Sequence, residues 1–248
     1  MTTAVLRVGV PVATLWTSPE APRDLDAPAV APDADEADLA TWLGRLTPAD
    51  RLDLHGRTLT QLLGGEPVLV VEEVAGWSHV MAPWQPVPDG DGYDGWVPRG
   101  QLRAPAPDDL DHPAAAVPPD RISVAAYAER FAGLTYLWGG TSPAGFDCSG
   151  LVHYCYRQAG VVVPRDSPAQ AAAVTPVALG EEEPGDLYFF ARDDGRVYHV
   201  GFATGRGRML HAPERDGSGV IVDEELTPER RGHLVAAGRF PLEESPVR

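Results

Sequence analysis

The 248-residue chain contains no lysine, so all 20 of its basic side chains are arginines. That excludes any mechanism built on a lysine Schiff base. Cysteine is scarce as well. Cys148 and Cys155 are the only two, too few for the disulfide framework of a small secreted domain. They fall on one predicted helix at a separation of about 10 Å, given ~1.5 Å rise per residue. Bridged cysteines need Cα atoms within about 7 Å, so the two do not pair. No apolar run approaches the ~18 residues of a membrane span. The first residues lack a basic segment followed by an apolar one, so no secretory leader is expected and a cytoplasmic location is. No internal repeat, phosphate-cradling loop or cofactor motif is visible. Positive charge is in deficit, with 36 acidic residues leaving a net charge of −16. Nucleic acid and anionic membranes attract basic surfaces and are therefore unsuitable partners. A small soluble ligand is compatible. Nothing in the sequence fixes the oligomeric state.

What the chain does have is the stretch Gly145-Phe146-Asp147-Cys148-Ser149-Gly150. The run after it places Leu151, Val152, Cys155 and Ala159 at helical spacing, and Gly160 ends the pattern. This predicts an amphipathic helix with Asp147 or Cys148 at its N-terminus. Free backbone N–H groups and the positive end of the helix dipole stabilise an anion there. A thiol at such a place is expected to have a lowered pKa and to be nucleophilic. The N–H of Cys148 is also a candidate oxyanion donor. An isolated cysteine is more often a small buried hydrophobe, and Cys155 receives that reading. For Cys148 the preceding Gly139, Gly140 and Gly145 favour reactivity, because glycines let the backbone approach a ligand closely.

Two histidines follow the cysteine. Val197 to Phe202 alternates like a half-buried strand around His199, after a turn and strand at Pro184–Phe190 and a turn at Asp193–Gly195. Gly205-Arg206-Gly207 is a turn, and Met209 to Ala212 is a further short strand carrying His211. Adjacent antiparallel strands would put His199 and His211 on one face, which a base and its orienting partner require. A zinc site of Cys148, His199 and His211 is the competing reading, but the spacing matches no common zinc motif. His55, His79, His112, His153 and His233 are expected to be structural.

The N-terminal half shows short strands with Gly/Pro turns. These are Val12 to Pro19, Val68 to Val71, Trp77 to Met81 after a turn at Ala75-Gly76, and Gly92 to Pro98. That pattern predicts a small β-barrel. An insertion at about residues 33–63 is expected to be helical, over Asp38–Leu46 and Pro48–Leu63. Ala104 to Asp120, rich in Pro, Ala and Asp, is a candidate linker. The predicted organisation is a barrel domain at 1–105, a linker at 106–119 and a second domain at 120–248. The acidic runs at Asp33–Glu36 and Glu181–Glu183 read as solvated loops.

Five segments then occur in a recognisable order: Tyr136-Leu137-Trp138-Gly139-Gly140, Phe146 to Gly150, Pro164-Arg165-Asp166-Ser167, Pro184 to Leu187, and His199-Val200-Gly201. Over roughly residues 120–242 the chain resembles the NlpC-type papain-like cysteine peptidases of bacterial cell-wall metabolism. The resemblance implies an α+β fold in which a helix carrying the nucleophile packs on an antiparallel sheet. It implies Cys148 as nucleophile, His199 as base and His211 as the polar third residue. The N-terminal half is similar to a bacterial Src-homology-three-type barrel. With its helical insertion, the chain resembles the YkfC-like γ-D-glutamyl-L-diamino-acid endopeptidases, which act on free murein peptides during recycling.

By that resemblance Tyr136, Asp147, Ser149 and Ser167 line the site, with Arg165 and Tyr93 as further substrate contacts. Asp147 is expected to pair with the substrate ammonium. Ser149 and Ser167 are expected to bind the D-Glu carboxylate, and Tyr93 the free amine. Tyr136 is expected to assist the oxyanion. The substrate would be a small peptide of L-Ala-γ-D-Glu-diamino acid type, with no cofactor or metal. The chain departs from that subgroup in lacking a second barrel domain, which predicts a more open site. An exported hydrolase of intact wall, and a papain-like amidase or acyltransferase, keep the same chemistry and differ in substrate. A peptide-binding module with a relic site is the non-enzymatic alternative.

Overall fold

Two antiparallel sheets carry the chain in this computed structural model, which describes residues 4–88, 90–215 and 217–242. The first is seven-stranded: β1 (Ala4–Val8), β2 (Val12–Trp16), β3 (Thr58–Leu63), β4 (Pro67–Val74), β5 (Trp77–Ala82), β6 (Tyr93–Pro98) and β7 (Leu102–Arg103). Their spatial order is β3-β2-β6-β5-β4-β1-β7. Val8, Ala13, Leu15, Leu62, Val68, Val80 and Val97 form its apolar core. The four strands expected here all exist, and Ala75 (φ 48°) and Gly76 (φ 85°) turn β4 into β5. The barrel does not close, because β3 and β7 end the sheet without pairing to each other.

The insertion differs from expectation in its second half. Helix α1 (Glu36–Arg45) forms, with Asp35 accepting the N–H groups of Ala37 and Asp38 as its cap. Helix α2 (Pro48–Leu52) lasts barely a turn. Gly56, with φ 76°, reverses the chain, and Thr58 to Leu63 is strand β3 rather than helix. Its β-branched threonines suit a pleated surface, and pairing with β2 from Val12↔Leu63 to Leu15↔Thr60 fixes it there. Its other edge faces the second half of the chain. The main-chain O of Gln61 accepts from Thr141 Oγ1 at 2.8 Å, and Gln61 Oε1 accepts from Ser142 Oγ at 2.9 Å. That edge is therefore spent on a different partner from the one a closed barrel needs.

Residues 104–120 contain no helix and no named strand. They dock on both halves. Leu110 O accepts from Arg7 Nη1 at 2.8 Å, and Ala116 N–H donates to Gln158 O at 2.6 Å.

After α3 (Arg121–Glu129) and the short hairpin β8 (Thr141–Ser142) and β9 (Gly145–Phe146) comes α4 (Cys148–Gln158). Next are α5 (Ser167–Ala173), β10 (Thr175–Val177), β11 (Leu187–Ala191), β12 (Val197–Gly205), β13 (Arg208–His211), β14 (Val222–Glu225), α6 (Pro228–His233) and β15 (Leu234–Arg239). The second sheet has the order β10-β15-β11-β12-β13-β14, with every neighbour antiparallel. Leu151, Val152, Cys155 and Ala159 face its core with Phe189, Val200, Phe202 and Leu210. The mixed α/antiparallel-β, papain-like arrangement is the one the sequence predicts. Helix α4, however, is buried all round rather than amphipathic. His153, Tyr156 and Arg157 are also enclosed: Tyr156 packs on Phe202 and Phe240, His153 Nδ1 lies 2.9 Å from Val163 O, and Arg157 pairs with Glu66 of the N-terminal half. Strand β12 is likewise buried from His199 to Ala203 instead of alternating.

Candidate active site

Helix α4 begins at Cys148. Asp147, in extended conformation, is its N-cap and accepts the Gly150 N–H at 2.6 Å. The glycines around this point serve packing rather than ligand approach. A Cβ on Gly150 would stand 1.9 Å from the Gly140 carbonyl oxygen, so the loop lies directly on the first turn of the helix. Cys148 opens onto the cavity that His199 of β12 also borders, near the backbone N–H groups of Val200 and Ser149.

The histidines meet as their strands dictate. Phe202 pairs with Leu210 across β12 and β13, and His199 Nε2 lies 2.8 Å from His211 Nδ1. The two rings are nearly perpendicular, at 84°. A residue the sequence reading missed extends the chain of contacts, since His211 Nε2 lies 3.0 Å from Glu224 Oε1 on β14. An acidic residue on a short, half-exposed strand carries no local signal of such a role.

Burial dominates the electrostatics. It pushes the Cys148 thiol up to about 12, with Asp147 adding to the rise; the two N–H groups and Arg165 oppose it only in part. The expected lowering of this pKa is thus reversed, because burial and the Asp147 carboxylate both disfavour the thiolate. Burial pushes His199 well below the usual imidazole range, helped by His211 and Arg230. Both directions favour a neutral thiol beside a neutral imidazole.

Asp147 is not free to meet a ligand. Arg165 Nη1 and Nη2 donate to its two oxygens at 3.0 and 2.5 Å, Gly139 N–H donates at 3.0 Å, and Ser149 Oγ donates at 3.3 Å. Arg165 is 1% exposed and sits behind the site, not in it. The expected substrate contact by Arg165 is therefore corrected to an internal ion pair with Asp147. The ammonium pairing assigned to Asp147 fails for the same reason. Ser149 is buried and also engaged, accepting from Arg165 Nη1 at 3.0 Å.

The open carboxylate is the neighbouring Asp166, missed in the sequence. Its side chain is 48% exposed, and Oδ2 accepts from the Tyr93 hydroxyl at 3.1 Å. A one-residue shift within Pro164-Arg165-Asp166-Ser167 separates the buried cation from the accessible anion.

These groups surround one cavity of about 820 Å³. Tyr93, Tyr136, Asp147, Cys148, Ser149, Asp166, Ser167 and His199 border it. His211, 0% exposed, lies behind His199. Burial, Asp147 and Cys148 hold the Tyr136 hydroxyl well above its usual range, so it stays a donor. Arg192, Arg196 and Arg230 line the same cavity. Two histidines expected to be structural also reach the cavity: His55 stacks on Trp138, and His233 Nδ1 lies 3.0 Å from the Tyr198 hydroxyl. Among the described residues, no group of three His, Cys, Asp or Glu side chains is arranged to hold a metal ion, and no helix is long and apolar enough to cross a membrane.

A thiol at the start of a helix, facing a histidine on an antiparallel sheet, defines the papain-like cysteine peptidases. The chain belongs to the NlpC/P60 family, whose model matches residues 133–238. It is 33% identical over 290 aligned positions to a γ-D-glutamyl-L-lysine dipeptidyl-peptidase of Bacillus subtilis, covering 89% of this chain and 96% of the relative. A protein of the same description from Bacillus cereus is 29% identical, with 87% and 85% covered. A crystal structure of an NlpC/P60 family protein from Bacillus cereus superposes with a TM-score of 0.84 at 27% identity, covering 96% of this chain and 99% of that one. The 290-position alignment is longer than this 248-residue chain, so the Bacillus subtilis relative carries segments this chain lacks.

Proposed function

We propose that the protein hydrolyses the γ-D-glutamyl bond to the diamino acid of murein peptides with a free N-terminal L-Ala, during cell-wall peptide recycling in the cytoplasm. The observation that carries this reading is the Tyr93–Asp166 pair, set in the same cavity as Cys148 and His199. A carboxylate backed by a phenol and open to the cavity suits an ammonium group. The names of the Bacillus relatives support the bond type. The N-terminal half, read as a modified Src-homology-three-type barrel, supplies Tyr93 and so walls one end of the cleft. The domain division at residues 105 and 120 belongs to the same reading. The net charge of −16 suits a small peptide better than an anionic wall polymer.

In this mechanism the substrate amine docks at Asp166 and the γ-carbonyl carbon of D-Glu reaches the Cys148 sulfur. His199 takes the thiol proton as the S–C bond forms. The N–H of Cys148 and the Tyr136 hydroxyl receive the developing oxyanion. His199 then gives its proton to the leaving amine of the diamino acid as the C–N bond breaks. Water, deprotonated by His199, attacks the thioester and releases L-Ala-γ-D-Glu, and the sulfur regains its proton. Ser167, which begins α5 and lines the cavity, binds the D-Glu carboxylate in this reading.

The test is mass-spectrometric cleavage of L-Ala-γ-D-Glu-meso-diaminopimelate beside its N-acetylated form. Release of L-Ala-γ-D-Glu from the free-amine peptide alone supports the reading. Cleavage of both points to a hydrolase of intact wall, and cleavage of neither sinks the proposal.

A further inference from the structure

Past His199 and His211, the line of polar contacts ends at Glu224 and Arg215. One terminal nitrogen of Arg215 lies 2.6 Å from each oxygen of the Glu224 carboxylate. Glu224 pairs with Met209 across β13 and β14, and His211 lies two residues beyond Met209, so Glu224 and His211 project from the same face. Arg215 reaches this point from the loop joining β13 to β14. Its φ of 44° is left-handed, a conformation that non-glycine residues adopt where the surroundings enforce it. The same loop is tight, since a Cβ on Gly219 would stand 1.7 Å from the Pro213 carbonyl oxygen.

We propose that Glu224, gripped by Arg215, sets the proton positions along His211 and His199 so that His199 presents an unprotonated Nδ1 towards Cys148. The inference rests on Cys148 and His199 being the reacting pair. Both oxygens of Glu224 accept from Arg215, and a carboxylate is acceptor-only while ionised. His211 Nε2 must then carry the proton in the 3.0 Å contact. His211 is 0% exposed, and burial, with Arg230 and Arg215 nearby, pushes its pKa down to about 3. The ring is therefore neutral, and its Nδ1 is a lone pair. The 2.8 Å contact to His199 needs a proton, and only His199 Nε2 can supply it. His199 is neutral in its turn, which leaves Nδ1 bare as the site that accepts the thiol proton. Each ring is fixed by the contact behind it, and the series is anchored by a group that cannot donate. Glu224 and Arg215 are positioning residues, because neither reaches the reacting atoms.

The experiment is a long-range 1H–15N correlation of the imidazoles in the free full-length protein at pH 7, with E224A and E224Q beside it. In the unaltered protein both His199 and His211 are expected as the Nε2–H tautomer. E224A should lose the single tautomer of His211, and kcat on the free-amine peptide should fall about tenfold or more with KM within about twofold. E224Q keeps an oxygen acceptor opposite His211 and should recover the tautomer and part of the rate. A proton on His199 Nδ1 in the unaltered protein overturns the proposal, whether or not E224A folds. So does an E224A protein with unchanged tautomers and unchanged kcat. If the peptide is not cleaved at all, the functional reading falls, while the spectra of the free protein still decide the proton arrangement.

Discussion

Thr60 Oγ1, on the edge strand of the N-terminal sheet, accepts a 2.7 Å hydrogen bond from Nε of Arg165, the guanidinium that holds the N-cap of the nucleophile's helix. The same hydroxyl donates to Gln85 Oε1 at 2.7 Å. Gln85 Nε2 donates to Glu66 at 3.1 Å, and Glu66 pairs with Arg157 near the far end of α4. The N-terminal sheet thus grips α4 at both ends through buried polar contacts. It is part of the site's framework as well as its wall.

Thr60→Val should therefore weaken both fold and activity. The replacement has the same shape but leaves Arg165 Nε and Gln85 Oε1 without partners in a buried place. Such a loss costs about 1–3 kcal/mol. The unfolding midpoint in urea should fall accordingly, and kcat/KM with it. An unchanged midpoint would show that the two halves are not coupled through this contact.

Asp147→Asn should act mainly on stability. It leaves the Arg165 cation buried against a neutral amide, and removing one partner of a buried pair costs about 3–5 kcal/mol. Thermal unfolding checks this. A protein of unaltered stability with KM raised only for free-amine peptides would restore the ammonium role to Asp147.

Asp166→Asn should do the reverse. Its carboxylate is half exposed and open to the cavity, so the fold should tolerate the change. Losing a charged contact of about 1.5–3 kcal/mol corresponds to roughly a 10- to 100-fold rise in KM for the free-amine peptide. The ratio of kcat/KM for free and acetylated peptides should collapse towards one; a ratio that persists would place the ammonium elsewhere.

The pH profile should follow the buried neutral pair. His199 is held well below its usual range by burial, so it remains an unprotonated base as the pH falls through 6.5. The acid limb of kcat/KM should therefore lie below 6.5. Burial pushes the Cys148 thiol up to about 12, so alkylation of the free protein by iodoacetamide should be slow at pH 7 and still rising above pH 9. An alkylation rate that levels off near neutral pH would reveal a preformed thiolate.

The sequence by itself determined everything that depends on chain neighbours. Asp147 caps α4 because its side chain reaches the next turn, Gly160 (φ 74°) ends the helix, and the turn at Gly205–Gly207 folds β12 onto β13 so that His199 meets His211. Cys155 is core because it shares a helical face with Leu151 and Val152. Only the tertiary structure decided the partners that lie far apart in the chain. Tyr93 reaches Asp166 across 73 positions, and Thr60 reaches Arg165 across 105. The strand at Thr58–Leu63 forms because β2 offers it an edge and Thr141 and Ser142 meet Gln61, not because its own residues forbid a helix. The thiol's pKa belongs to the same class. A helix N-terminus lowers it by a local dipole, but burial and the Asp147 carboxylate outweigh that dipole, and burial is a property of the whole fold.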